Sequence, residues 1–267
     1  MEGSKKNTPE INKVRGSRAS TPDQAREYRQ AGHNEEDLLV LLYGWKKPEN
    51  HIGKTDLIDE LNNHYSVKKG SAKHWQVFLY TLNRLENDQS LHDIKLENVG
   101  NFSELIVKGL KYFPQDFDSY NGEEKHQGKL NFANAIMQIL SLFSKKDNIY
   151  KFLDFAFFNS GEVDYLVVSE EFNNLKRFLK FERNEFIDYF TDNFIIEGSK
   201  GRREGEYDNQ KILFKHKSSK DNKKVVNFIE LEYRNDSIIH YKEIRCNAKA
   251  NSQFVPIMKE KLTYEIL

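Results

Sequence analysis

Glu230 and Glu232 stand two residues apart in a segment, Val225 to Arg234, in which apolar and polar residues alternate. Successive side chains of an extended strand point to opposite faces. Phe228, Glu230, Glu232 and Arg234 therefore share one face, and Ile229, Leu231 and Tyr233 the other. Two carboxylates at that spacing lie roughly 6–7 Å apart, and they can share a divalent cation when a third acid faces them from a neighbouring strand. Such a cation lowers the pKa of its water and neutralises charge developing on a phosphate, while a nearby lysine orients that water. Asp208 is the first candidate for the third acid. It precedes the adjoining strand, whose start in an antiparallel hairpin lies near the end of its partner. Asp164, in a separate apolar strand, is the second candidate, and Lys242 is the candidate lysine. The same alternation also fits a solvated sheet face, with Glu230 and Glu232 paired across the strands to Lys215, Lys217 or Arg245. Asp208 also fits a turn aspartate.

A meander positions these residues. Ile212 and Phe214 alternate with Lys211, Leu213 and Lys215, and the cluster from Ser218 to Asn222 is a turn. Asn235-Asp236-Ser237 leads into a third strand with Ile238, His240, Lys242 and Ile244 on one side and Ile239, Tyr241, Glu243 and Arg245 on the other. Upstream, Val163 to Val168 is short and β-branched, which predicts a buried strand. Ser169 with Glu170 and Glu171 predicts the cap of a helix through Leu175, Phe178 and Leu179, and a second helix runs through Phe186, Tyr189, Phe190 and Phe194. Helices are also predicted from Lys129 to Phe143 and from Tyr150 to Phe157.

Nearer the N-terminus, Leu57, Ile58, Leu61 and Tyr65 fall at helical spacing, as do Trp75, Phe78, Leu79, Leu82 and Leu85. The spacing predicts helices over 54–65 and 72–87, joined by the polar turn Ser66 to Ser71. The pair reads as a helical hairpin, or as a helix-turn-helix with Lys73 and His74 near a DNA groove. A further helix runs through Leu38, Leu39, Leu41 and Leu42 to Gly44, and Pro22 marks an earlier helix start. Met1 to Thr21 carries almost no large apolar residue and predicts a mobile basic tail. The fold class expected is α/β in the mixed, α+β sense: tail 1–21, mainly helical region 22–157, mixed region 158–267 with the candidate site.

Composition removes several alternatives. One cysteine, Cys246, forms neither an internal disulfide nor a zinc site of its own. No apolar run reaches the length of a membrane span, and charges stand where a signal peptide has its apolar core, so a cytoplasmic protein is expected. Lys plus Arg and Asp plus Glu both total 41, which leaves no whole-molecule field to draw in nucleic acid or membrane. The local exception is Lys200 to Lys224, where cations outnumber acids. Neither a P-loop nor a dinucleotide-binding glycine pattern occurs.

Ile229-Glu230-Leu231-Glu232 after an upstream acid resembles the second half of the PD-(D/E)XK signature, in which an acid is followed by a strand bearing E-x-K. The loop Glu197-Gly198-Ser199-Lys200-Gly201-Arg202-Arg203 resembles the basic Gly/Ser loops of type II restriction endonucleases. The likeness covers about the last third of the chain. It departs from the family in that no proline precedes Asp208 or Asp164, and Glu232 stands where the family has lysine, with Lys242 as its substitute. The resemblance implies a Mg2+-dependent endodeoxyribonuclease, acting as a homodimer on a short duplex sequence. Asp208 (or Asp164), Glu230 and Glu232 would hold the metal. Ser199, Lys200, Arg202 and Arg203 would hold phosphate, while Arg234, Asn235 and His240 have the donors and acceptors that read base edges. Asp118 with Glu123-Glu124-Lys125 matches the signature literally but lies in a polar loop without a strand. His240-Tyr241-Lys242 is similar to the H-x-K of phospholipase-D-type nucleases, in a single copy. The competing classes are a non-catalytic DNA-binding or regulatory protein and a protein-interaction module.

Overall fold

A computed structural model describes residues 34–49, 53–120, 122–201, 206–218, 221 and 223–267. The tail to Thr21, the helix start at Pro22, and Arg202 and Arg203 lie outside the described residues.

Two five-stranded sheets form the frame. The first has the order β1-β2-β6-β7-β12, from β1 (Leu57–Ile58), β2 (His64–Lys69), β6 (Tyr165–Phe172), β7 (Leu175–Glu182) and β12 (Glu265–Ile266). Within it β2 and β6 run parallel and the other pairs antiparallel. The second is antiparallel throughout, with the order β3-β11-β10-β9-β8. Its strands are β3 (Trp75–Thr81), β8 (Ile195–Gly198), β9 (Lys211–Lys217), β10 (Val225–Asn235) and β11 (Tyr241–Ala248). A short ladder pairs β4 (Lys95–Leu96) with β5 (Gly100–Asn101). Both large sheets take strands from either side of residue 157, since β2 pairs with β6 and β3 with β11.

The helices are α1 (34–43), α2 (Leu82–Asn87), α3 (Gln89–His92), α4 (Phe102–Lys111), α5 (Glu123–Leu142), α6 (Lys146–Phe158), α7 (Arg183–Asn193) and α8 (Val255–Lys261). Their ends follow local chemistry. The Asn101 side chain accepts the Glu104 N–H at the start of α4, and Glu182 does the same for Glu185 at α7. Gly109 lets α4 close on α5, since a Cβ there would meet the Ala135 Cβ at 2.9 Å. One core joins the second sheet, α4 to α8 and the inner face of the first sheet; Phe152, Phe186, Phe190, Phe214, Phe228 and Phe254 are fully buried in it. A smaller cluster of Leu39, Trp45, Leu57, Tyr65, Val167 and Phe178 joins α1 to the opposite face of the first sheet.

The predicted helices over 54–65 and 72–87 are instead strands β1, β2 and β3, with helix only from Leu82. Asp59 explains the first. Its carboxylate accepts the N–H groups of Leu61 (2.9 Å) and Asn63 (2.8 Å) and the Tyr65 hydroxyl (2.7 Å), and Asn62 takes φ 64°. Side-chain bonds of this kind offer the backbone a turn in place of a helix. Leu61, counted on the helical face, is 83% exposed. The helix-turn-helix reading goes with them. The helix predicted from Ser169 to Leu179 is the β6–β7 hairpin, turned by Asn173 and Asn174 at φ 51° and 61°. Two left-handed residues in succession are what a type I′ turn requires. The meander, the helix around Lys129–Phe143 and the helix through Phe186 and Phe190 stand as expected, α5 beginning six residues earlier than predicted.

Candidate functional site

The acid pair sits at the middle of the second sheet. Glu232 is opposite Lys211 on β9 and Arg245 on β11, and Glu230 is opposite Leu213 and Asn247. Lys211 Nζ bridges the two carboxylates, 3.5 Å from Glu230 and closer to Glu232. Arg245 Nε donates to Glu232 at 3.1 Å, and Lys249 Nζ lies 3.3 Å from Glu230. Burial pushes the Glu230 carboxyl up, but Lys211 and Lys249 outweigh it and hold the group below its ordinary value. Burial likewise lowers the Lys211 ammonium, and the two glutamates more than reverse this. Three cations therefore neutralise two acids.

The residues expected to complete a metal site stand elsewhere. Asp208 accepts the Gly201 N–H at 2.8 Å and Lys200 Nζ at 3.0 Å, closing its own loop. The Gly201 amide and Lys200 hold its carboxyl below the usual range. Asp164 immediately precedes β6 of the first sheet, and its carboxylate takes the His64 N–H at 2.8 Å. Lys242 is a bulge residue. The register of β10 and β11 shifts at Arg234/Asn235, Lys242 adopts φ 55°, and its ammonium reaches Gln115 at 3.5 Å. One extra residue in a strand redirects the side chains beyond it, which alternation alone does not reveal. Among the described residues no three His, Cys, Asp or Glu side chains gather where they could hold a metal ion.

Among the described residues the expected DNA contacts are also engaged. The Ser199 hydroxyl accepts the Gln210 and Lys211 N–H groups, both at 3.1 Å. Arg234 pairs with Asp236 at 3.0 Å, and His240 with Glu243 at 2.8 Å. Asn235 is buried and accepts the Lys242 N–H at 2.7 Å.

A different constellation forms on the β1–β2 hairpin. Tyr65 and Val67 pack with α1 through the smaller cluster, and alternation then sends Ser66 and Lys68 to the opposite face. Asp56, just before β1, bonds its own N–H to the Tyr65 carbonyl at 2.8 Å, where the two strands begin to part. Its Oδ2 accepts the Val67 N–H at 2.7 Å and the Ser66 hydroxyl at 3.2 Å, and Lys68 Nζ lies 3.6 Å away. Lys68 Nζ also donates to Ser66 Oγ at 2.7 Å and to the Val67 carbonyl at 3.3 Å. A carboxylate, a hydroxyl and an ammonium thus meet at one point, and the Asp56 and Lys68 side chains keep 29% and 28% of their exposure.

The loop before Asp56 is fixed from two sides. Lys54 Nζ donates to the Phe155 carbonyl at 2.7 Å and to that of Ala156, capping the C-terminal end of α6, where carbonyls lack helical partners. Burial, with Lys68 and Arg84 adding to it, brings the Lys54 ammonium down to about 7. Glu162, ahead of β6, accepts Thr55 Oγ1 at 2.8 Å and the N–H groups of Thr55 (3.2 Å) and Lys54 (3.3 Å). Burial raises the Glu162 carboxyl, but these bonds and the Asn159 amide outweigh it and keep it low. Gly53, at φ 113°, leaves room for that carboxylate, which a Cβ would strike.

Sequence reasoning missed this site because Leu57, Ile58, Leu61 and Tyr65 fit a helix. The signal that could have found it is the Asn62-Asn63 turn followed by the alternation Tyr65-Ser66-Val67-Lys68. No protein-family model matches the chain, and no curated protein matches it either. Among the described residues, no helix is long and apolar enough to cross a membrane.

Proposed function

We propose that this protein is a Mg2+-dependent endonuclease of duplex DNA, restriction-enzyme-like, whose chemistry is carried by Asp56 and Lys68, with the buried Ser66 hydroxyl positioning both. The observation that supports the reading is the convergence of these three groups on a parted hairpin. An acid precedes a strand bearing x-x-Lys, and a serine hydroxyl stands where the PD-(D/E)XK signature has its second acid. This moves the resemblance from Glu230-x-Glu232 to the hairpin and supplies the lysine that the earlier match lacked.

The Asp56 carboxylate suits a hard cation. Asp56 Oδ1 makes no hydrogen bond among the described residues, whereas Ser66 is fully buried and its Oγ, like the Val67 carbonyl, already accepts the Lys68 ammonium. Mg2+ is commonly held by one or two carboxylates together with waters and substrate phosphates, so Asp56 would hold it with waters and a DNA phosphate completing the shell. When bound it would stabilise charge on the phosphoryl oxygens and lower the pKa of its water. Asp56 anchors the cation side of the site. Lys68, held between Asp56 and Ser66, presents an ammonium that orients the attacking water and offsets charge developing on the phosphate. Lys54 and Glu162 keep the Asp56 loop in register with β2 and α6. The Gly198–Arg203 loop stays a proposed phosphate contact, a homodimer the proposed assembly and the cytoplasm the proposed location.

Incubation with mixed long duplex DNA tests the reading. Discrete fragments should form with Mg2+ and vanish with EDTA. Intact DNA at every Mg2+ concentration would leave a non-catalytic DNA-binding protein as the better account.

A further inference from the structure

Lys68 and Arg84 both lower the Lys54 ammonium, and two of these three cations are committed. Lys54 caps α6, and Lys68 is held by Asp56 and Ser66. The third, Arg84, follows β3 of the other sheet in helix α2. It is exposed, and its guanidinium carbon lies 4.0 Å above the ring centroid of Tyr80. Tyr80 is itself buried and packs edge-on against Phe155 at 5.7 Å, and the Phe155 ring lies 5.1 Å below Lys54 Nζ. Arg84 is thereby propped on a rigid aromatic shelf that continues to the loop carrying Asp56. Among the described residues it has no carboxylate within ion-pair distance. Asp88, which like Arg84 acts on Tyr80, gives one oxygen to the Ser90 N–H at 3.1 Å.

Stacking uses the face of a guanidinium and leaves its in-plane N–H groups available. Those donors match the two oxygens of a phosphate in a fork that lysine cannot reproduce. We propose that Arg84, braced on Tyr80, is the phosphate anchor of this site, holding non-bridging oxygens of the DNA backbone beside the Asp56–Lys68 hairpin. The proposal rests on the nuclease reading above. Within that reading the guanidinium is a binding and positioning group. The side chains of Asp56 and Lys68 do the chemistry, and Arg84 fixes where the backbone lies.

The test is the salt dependence of binding to a duplex oligonucleotide without metal, alongside cleavage with Mg2+. Each phosphate contact contributes about 0.9 to the slope of log K against log salt concentration. Arg84→Gln should lower the slope by about that amount and raise KM more than it lowers kcat. Arg84→Lys should restore the slope, because the charge returns, but not the full KM, because the fork does not. An unchanged slope and KM in a folded Arg84→Gln protein would overturn the anchor. Asp56→Asn separates the two claims: it should bind with the wild-type slope and not cut. Cleavage by Asp56→Asn at the wild-type rate would overturn the catalytic reading whatever Arg84 does.

Discussion

At the scale of single residues, what decides the role of a carboxylate is the company it keeps. Glu230 and Glu232 are spaced like metal ligands, yet Lys211, Arg245 and Lys249 surround them. Asp56 faces one lysine, and its Oδ1 takes no hydrogen bond among the described residues. His216 shows a second consequence of environment. It is buried among Phe190, Phe194 and Phe228, with Nε2 3.2 Å from the Tyr189 hydroxyl, and burial lowers its pKa below the ordinary 6.5. Below that pH the unfolded chain takes up a proton that the folded protein refuses, so stability is lost as pH falls. Unfolding of wild type and His216→Phe in urea from pH 8 to 5 should show wild type losing stability relative to the variant below about 6.5. Parallel curves would show that His216 is protonated equally in both states. The pairing partners of Glu230 and Glu232 were only partly legible in the sequence. Arg245 was among the candidates for a solvated face, whereas Lys211 and Lys249 depend on the register of β9 and on the chain beyond β11.

At the scale of elements, period and turn chemistry carried most of what could be read. The meander was legible because apolar residues alternate and the turns are polar. Helix α5 was legible because Phe132, Ala135, Ile136 and Ile139 repeat at helical spacing and are buried. Two features defeated this reasoning. The bulge at Asn227/Ile229 moves Phe228 into the core, and that at Arg234/Asn235 leaves Lys242 out of the β10–β11 ladder. Turns built by asparagine or aspartate side chains cut apparent helices into hairpins, as at Asp59 and at Asn173-Asn174. The second hairpin is directly testable. A β-branched residue in the left-handed region costs about 1–2 kcal/mol more than one in an ordinary conformation. Asn174→Val should therefore destabilise the protein by about that much, measured by denaturant unfolding, and Asn174→Gly should not. Equal stability of all three would mean that the turn does not hold the left-handed geometry.

At the scale of the whole molecule, β2 and β3 are separated by only five residues, Gly70 to His74, yet they enter different sheets. Gly70 makes the crossing tight: its N–H bonds to the Ser169 carbonyl at 2.8 Å, and a Cβ there would press on that oxygen. Lys68 comes from the first sheet and Arg84 from the helix after β3 of the second, and both lower the Lys54 ammonium. The mixed α and β character could be read from the sequence, but this arrangement could not, because it depends on β2 running parallel to β6 about a hundred residues later. A chain with no net charge can in this way still concentrate cations where a phosphate would be handled. The most direct test compares Mg2+-dependent cleavage of duplex DNA by wild type, Asp56→Asn, Lys68→Ala and Glu232→Gln under one set of conditions. The account predicts a loss of about 10²-fold or more for the first two variants and a rate close to wild type for Glu232→Gln. Full activity in Asp56→Asn together with its loss in a folded Glu232→Gln protein would contradict it and return the chemistry to the acid pair of β10.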